Sequence, residues 1–276
     1  MMTNFKKALA NKGFVVGGCI FLAIALIALV GPLVWTVNPN AQEMALRLSA
    51  PSPAHPFGCD DFGRDLLARV IVGARVSLGV GIAVTLATSA LGLVIGAYAC
   101  YNERLDHILM RICDGFMSIP GVLLAIALMA MMGASVWNVI IALSIVYTPS
   151  MARIVRSRAM VVKEEPFVEA LRVQGASTAR IVWLHIVPNV MAPFLVQATF
   201  VFAEAVLSEA ALSFLGLGIK APDASWGNIL QAGKNVMRKA WWMIFFPAAT
   251  IIASVLSLNL AGDGLRDALD PKTKED

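Results

Sequence analysis

Charge is scarce in this chain of 276 residues. Asp, Glu, Lys and Arg make up only 14% of it, against about 25% in a typical soluble domain. So few charges cannot cover the surface of a soluble enzyme of this length. A hydrophobic share of 58% also excludes an intrinsically disordered chain. The composition favours an all-α, polytopic helical membrane protein.

Cysteine and histidine are too dispersed for a metal or redox centre. The four cysteines contain no CxxC pair, so we expect free thiols packed in the interior. Asp60, Asp61 and Asp65 lie close together in sequence, but only His55 is near them and no second carboxylate set completes a metal site. We expect these residues to order a helix over 64–75, with Asp61 near its N-terminus.

An ATP-binding motif is also missing. Residues 227–235 superficially resemble a phosphate-binding P-loop, but five residues separate Gly227 from Gly233 where the motif has four. Asn235 stands where the motif needs a Ser or Thr hydroxyl to bind Mg²⁺. We therefore expect no bound cofactor, no metal and no catalytic residue in this chain.

Long stretches without charge locate the membrane-spanning segments, since a transmembrane helix needs about 20 apolar residues. The first stretch is too long for the core of a signal peptide, and no A-x-A site follows it, so we expect an uncleaved span. The gaps predict about six transmembrane helices: 14–37, 76–101, 116–132, 136–151, one between Arg180 and Glu204, and one between Lys239 and Asp263.

The distribution of Lys and Arg predicts the orientation, because these residues collect on cytoplasmic loops. With the N-terminus inside, the inner segments hold 14 of the 22 basic residues and the outer loops hold eight. We therefore expect both termini in the cytoplasm. The resulting organisation is a cytoplasmic tail over 1–13, a first transmembrane helix over 14–37, an outer loop over 38–75, a core transmembrane domain over 76–262 with a cytoplasmic loop over 153–180, and a cytoplasmic tail over 263–276.

The cytoplasmic loop carries the signals of two short helices. Pro166 suits the first position of a helix, and Gly175 suits the residue after its end. Within that helix one face is predicted to hold Phe167, Ala170, Leu171 and Gln174. Ser177 or Thr178 can cap the second helix. From the residues alone, a solvated loop and a docking helix–turn–helix both remain open.

A resemblance favours the docking interpretation. Glu169-Ala170-Leu171, then Gly175, then Pro188 thirteen residues later, resemble the EAA motif of binding-protein-dependent ABC importer permeases. Leu171 departs from the small residue usual there, and His185 stands where an isoleucine is usual. The resemblance implies a coupling helix seated in a groove of an ATPase subunit. It assigns the coupling role to Phe167, Glu169, Ala170, Leu171, Gly175 and Pro188.

Further motifs extend the resemblance over about residues 54–271. They are similar to those of the "C"-type permeases of the dipeptide, oligopeptide and nickel family, although Cys59 replaces the usual threonine. The matching segments are 55–65 (HPFGCDDFGRD), 73–78 (GARVSL), 212–218 (LSFLGLG), 225–228 (SWGN) and 262–271 (GDGLRDALDP).

Membership in that family would imply a type I ABC importer permease fold in a bacterial inner membrane, surrounded by lipid. The chain would pair with a homologous second permease subunit to form the translocation pore. Two ATPase subunits would use ATP-Mg, and a periplasmic or extracellular binding protein would deliver substrate; nucleic acid would play no part. Peptides are the expected cargo, with nickel chelates, glutathione or opines as alternatives.

Two carboxylates in apolar sequence need a place away from lipid, because a charge at the bilayer centre costs about 2.5–3.5 kcal/mol even on insertion scales. Glu204 is expected at the outer end of the fifth span, and Glu209 just beyond it. Two interpretations remain open for both: a polar rim of the translocation pore, or an interface with the partner permease. The run 210–218 is too short to span the membrane and is expected to pack as an outer helix or scoop at that interface.

Two functions from other classes compete with the importer interpretation. A secondary transporter would need a buried ion-coupling carboxylate and an inverted repeat, and neither is evident in the sequence. A membrane assembly protein without transport activity would leave the docking loop unexplained. Only an importer requires an ATPase that co-purifies in fixed stoichiometry.

Overall fold

The structure, a computed structural model, describes residue 9 and residues 11–269. In this part of the chain the β-type pairing is a single bridge between Cys59 and Asp65, so the predicted all-α class is confirmed. The helices are α1 (Lys12–Val34), α2 (Leu66–Tyr101), α3 (Glu103–Met117), α4 (Gly121–Met132), α5 (Val136–Lys163), α6 (Pro166–Val173), α7 (Thr178–Ile181), α8 (Val187–Phe214), α9 (Trp226–Lys234) and α10 (Trp242–Leu269), with a π-helical turn (Val182–Ile186) that joins α7 to α8.

Five helical stretches of the described residues are long and apolar enough to cross a membrane: α1, α2, α5, the continuous stretch Thr178–Phe214, and α10. The pair α3 and α4 forms a sixth candidate that is bent by 89°. We call the membrane side that carries α6 the inner side and the opposite side the outer side.

The packing of α2 on α5 requires the bent pair to cross the membrane. Gly92 of α2 lies against Met151 of α5, Gly96 lies against Val155, and Lys163 Nζ donates to the Cys100 carbonyl at 3.0 Å. Residue numbers rise together along this contact, so the two helices run parallel. The chain therefore returns to the outer side between them, which gives six crossings.

The two ends of the described chain lie on the same side of the membrane. Helix α1 runs antiparallel to α10: Phe14 lies against Gly264, and Gly17 lies against Ser257. Asn11 Nδ2 donates to Asp267 Oδ2 at 3.2 Å at this end. Most of the predicted tails, 1–13 and 263–276, lies outside the described residues.

The predicted span over 116–132 contains a sharp bend around Pro120. Proline lacks an N–H and keeps the preceding residue away from helical angles, so α3 ends before it and α4 begins after it. With 12 residues, α4 measures about 18 Å, shorter than the hydrocarbon core of about 30 Å.

Several helices also run past the predicted span boundaries. Helix α2 begins at Leu66 instead of residue 76, α5 continues to Lys163, and α8 continues to Phe214. A helix does not have to end where the apolar stretch ends, because charged side chains are good helix formers outside the membrane. The first half of the run 210–218 is the last turn of α8, and the helix ends at Phe214.

Candidate functional site

On the inner side, α6 has the ends that the sequence predicts. Pro166 is its first residue, and Gly175 follows its end with φ of +77°. The Ala176 N–H donates to the Leu171 carbonyl and the Gly175 N–H to the Arg172 carbonyl, both at 3.0 Å, which is a Schellman motif. Ser177, the first of the two predicted caps, accepts from the N–H of Arg180 at 3.4 Å and starts α7.

A buried valine fixes α6 to the body of the protein. Val168 is 0% exposed and packs in a cluster with Ile181 of α7 and Val155 of α5. Leu171, one turn later, packs against the same cluster. Val168 was not among the predicted site residues, although the spacing of three between it and Leu171 is the helical signal for a shared buried face.

The opposite face of α6 is exposed and partly apolar. Phe167 is 42% exposed and Val173 is 85% exposed, with Glu169 and Ala170 exposed between them. The predicted face is therefore correct for Phe167 and Ala170, whereas Leu171 faces the body of the protein. Exposed large apolar side chains at a helix surface indicate a protein interaction site.

Pro188 lies away from α6, as the second residue of α8 just after the π-turn. The turn is one residue wider than an α-helical turn, and the Val187 N–H donates to the Val182 carbonyl. Asn189 Nδ2 donates to the His185 carbonyl at 2.7 Å and supports the same junction. Pro188 thus belongs to the joint between the inner loop and α8.

Two ion pairs fasten α3 to the inner half of α5. Arg156 Nε pairs with Asp106, and Arg153 Nη2 lies 2.6 Å from Asp114 Oδ1. Because α5 leads directly into the loop before α6, these pairs connect the region of α6 with the bent α3–α4 pair.

On the outer side, Glu209 is 0% exposed, which differs from its predicted place at a pore or interface. Ser77 Oγ donates to Oε2 of Glu209 and Ser213 Oγ donates to Oε1, both at 2.7 Å. Ser77 Oγ in turn accepts from the Trp226 N–H at 3.3 Å. The carboxylate is thus bonded inside the chain, where it joins α2, α8 and α9.

Three of the sequence motifs meet at this carboxylate. Ser77 comes from the segment 73–78, Ser213 from 212–218, and the Trp226 N–H from 225–228. Those motifs therefore build the outer end of the fold. They present no catalytic arrangement, and no group of metal-ligating side chains is found among the described residues.

The segment 55–65 orders the start of α2 as expected, and one of its three aspartates caps the helix. Asp65, not Asp61, caps the helix by accepting from the Ala68 N–H at 2.7 Å. Asp65 also accepts from Trp35 Nε1 at 3.1 Å and lies 2.8 Å from His55 Nδ1. These bonds hold the outer loop against α2.

An outer cavity of about 340 Å³ lies between this segment and α9. Asp60 lies in its wall between two arginines, 2.6 Å from Arg64 Nε and 3.6 Å from Arg69 Nε. Burial and the Asp60 charge raise the pKa of the neighbouring Asp61 carboxyl. The arginine charges are thus compensated within the chain, as in a structural ion-pair network.

The four cysteines are free thiols. Cys59, Cys100 and Cys113 are buried as predicted, while Cys19 on α1 is exposed. Burial raises the pKa of the Cys59 thiol, which keeps it protonated and unreactive.

Glu204 lies on an exposed face in the middle of α8. It was expected at the outer end of the span, and the helix itself continues ten residues beyond it to Phe214. The Tyr147 hydroxyl of α5 bonds to Ser208 Oγ at 2.7 Å and donates to the Glu204 backbone carbonyl at 3.3 Å. A polar patch therefore surrounds this carboxylate on the α5–α8 surface.

Two family models match the sequence. "Binding-protein-dependent transport system inner membrane component" matches residues 88–275, and "N-terminal TM domain of oligopeptide transport permease C" matches residues 4–51. A putative peptide transport system permease of Brucella abortus is 45% identical over 98% of this chain and 91% of its own length. The dipeptide transport system permease DppC of Alkalihalophilus pseudofirmus is 42% identical over 98% and 89%, and the oligopeptide permease OppC of Bacillus subtilis is 38% identical over 96% and 88%.

Proposed function

Because this chain belongs to the family of binding-protein-dependent transport system inner membrane components, we propose that it is one of two permease subunits of an ATP-driven peptide importer. The observation that carries the proposal is similarity over almost the whole chain to relatives named as peptide, dipeptide and oligopeptide permeases. Membership in this family favours the importer over a secondary transporter or an assembly protein.

In this proposal the chain transmits motion and performs no bond chemistry. ATP-Mg is used by two separate ATPase subunits, one of which docks on the exposed face of α6, with Phe167 and Val173 as apolar contacts. Val168 carries displacement of α6 into the cluster formed with α5 and α7. The ion pairs of Arg153 and Arg156 pass it on to the bent α3–α4 pair.

The remaining partners follow from the orientation. The inner side is the cytoplasm of a bacterium, since most basic residues belong to inner segments. A homologous permease completes the pore, and a binding protein delivers peptide to the outer side.

Coupling through α6 is tested at Gly175. An added Cβ there meets nothing within 4 Å, so a substitution acts through the left-handed backbone and through the docking surface. In a complete complex in proteoliposomes, we expect Gly175→Glu to insert normally, to lower dialanine uptake at least tenfold and to abolish stimulation of the ATPase by loaded binding protein.

Gly133 offers a matched control on the outer side. Its φ is +83°, and an added Cβ there also meets nothing within 4 Å. With ψ of 163°, Gly133→Glu imposes a backbone strain at least as large as that at Gly175, but away from α6, and coupling should persist. Normal uptake by the Gly175→Glu complex would exclude α6 as the coupling helix, and a wild-type complex unable to take up any di- or oligopeptide would exclude peptides as cargo.

A further inference from the structure

Glu204 lies within a largely apolar helix, away from both of its ends. Helix α8 extends ten residues past it to the outer side, or about 15 Å. Seventeen residues separate it from Val187 at the inner start of the helix. A charge well inside a span is expensive against lipid, and such residues face a protein neighbour or a water-filled path.

The helices that pack on α8 offer no countercharge at this position. Neither α4 nor α8 contains a Lys or Arg, and the first basic residue of α5 is Arg153, near its inner end. The basic residues of α2, α9 and α10 lie toward the ends of those helices. The carboxylate of Glu204 has no hydrogen bond or ion pair with any of the described residues, so a cation that pairs with it comes from outside this part of the chain.

The face of α8 that carries this carboxylate mixes polar and apolar side chains. Gln197 and Ser208 stand seven and four residues away, which places them on the same helical face, and both are partly exposed. Tyr147 of α5 adds a phenol to this face through its bond to Ser208. Phe200 and Leu207 lie one turn to either side of the carboxylate, so the face offers an amide, two hydroxyls and a carboxylate between apolar side chains.

We propose that this face lines the translocation path and that the Glu204 carboxylate binds the protonated amino terminus of the transported peptide. The inference rests on the proposed function, because it takes peptides as cargo. A peptide ammonium supplies the missing positive charge for the time of passage. The amide of Gln197 and the hydroxyls of Tyr147 and Ser208 can bond to the adjacent peptide group, which has both a donor and an acceptor.

The test compares two cargoes that differ in this one charge. Complete complexes in proteoliposomes, with ATPase subunits and binding protein, are given dialanine or N-acetyl-dialanine. Each uptake rate is divided by the fraction of binding protein loaded with that peptide, so that selection by the binding protein is removed. The variants are Glu204→Gln, Glu204→Asp and, as a control carboxylate at the start of α3, Glu103→Gln.

We expect Glu204→Gln to lower the normalised dialanine rate at least tenfold and to change the N-acetyl-dialanine rate less than twofold. Glu204→Asp should keep at least a third of the dialanine rate, and Glu103→Gln should match the wild type. An equal loss for both cargoes, or no loss, overturns the inference. Loss of the second permease subunit from the purified Glu204→Gln complex also overturns it, since Glu204 would then bind a cation of that subunit.

Failure of the proposed function gives a separate result. If the wild-type complex takes up neither dialanine nor any other di- or oligopeptide although its binding protein is loaded, peptide transport itself is refuted and the ammonium site falls with it. If the wild type transports dialanine and Glu204→Gln does so equally well, only the ammonium site is refuted.

Discussion

Glu204 and Glu209 are separated by five residues on one helix but have opposite surroundings. Five residues correspond to about 500° of rotation, so the two side chains point to different faces of α8. Glu209 accepts hydrogen bonds from two serines inside the chain, whereas Glu204 is exposed on the α5–α8 surface. The same residue type therefore fixes the fold at one position and is available to a partner or cargo at the other.

The buried carboxylate leads to a prediction about stability. Glu209→Ala leaves the hydroxyls of Ser77 and Ser213 without their acceptor, at a cost of roughly 2–4 kcal/mol. Glu209→Gln keeps one acceptor oxygen and should cost about 1 kcal/mol. We expect the thermal midpoint of the detergent-solubilised complex to fall more for Glu209→Ala than for Glu209→Gln.

The control for this series is Asp223→Asn, an exposed acidic residue on the same side of the membrane. It should leave the thermal midpoint unchanged. A midpoint for Glu209→Ala equal to that of the wild type would show that the serine bonds do not stabilise the outer end of the fold.

The sequence alone does not show which face of α8 Glu204 and Glu209 occupy. Spans that are apolar on every side have no periodic polar face, so the rotation of a helix about its axis is not encoded in the pattern. The same two interpretations therefore remained open for Glu204 and for Glu209. Burial of Glu209 depends on Ser77, which is 132 positions away along the chain.

At the scale of elements, close contact between α2 and α5 depends on two glycines of α2, which have no side chain. A Cβ added at Gly96 would lie 2.5 Å from the Ala152 carbonyl oxygen, and one added at Gly92 would lie 2.5 Å from Met151 Cγ. Small residues four positions apart let membrane helices approach closely, because their association relies on packing.

We predict that Gly96→Leu separates α2 from α5 and sharply lowers the yield of monodisperse complex in size-exclusion chromatography. Gly79 is the matched control on the same helix, since an added Cβ there meets nothing within 4 Å. Gly79→Leu should give the wild-type yield. Equal yields for the two variants would contradict the proposed role of this contact.

Local signals explain which elements the sequence predicts well. Pro166 and Gly175 act on their own backbone, so the start and end of α6 are readable from the chain alone. Hydropathy instead marks the membrane border, and α5 continues through Arg153 without a break. The sequence does not single out the cap of α2, because Asp61 and Asp65 have similar capping propensity and only the fold selects between them.

At the scale of the whole molecule, the six crossings predict a specific orientation. Green fluorescent protein fused after residue 269 should fluoresce, whereas alkaline phosphatase fused at the same place should be inactive. The reason is that inner segments hold most basic residues, which places this end in the cytoplasm. A fusion after Pro53, in the exposed outer loop, should give active phosphatase. Phosphatase activity at the C-terminal fusion would show that the orientation is inverted.

The length of α2 has a mechanical consequence. Its 36 residues form one helix of about 54 Å, longer than the hydrocarbon core, with its outer end held by the cap at Asp65 and its inner end bonded to Lys163. If this helix tilts as a rigid body by about 10° about its midpoint, each end moves by about 5 Å, and the two ends move in opposite directions. The two mouths of a path beside it would then open and close in alternation without any change in secondary structure.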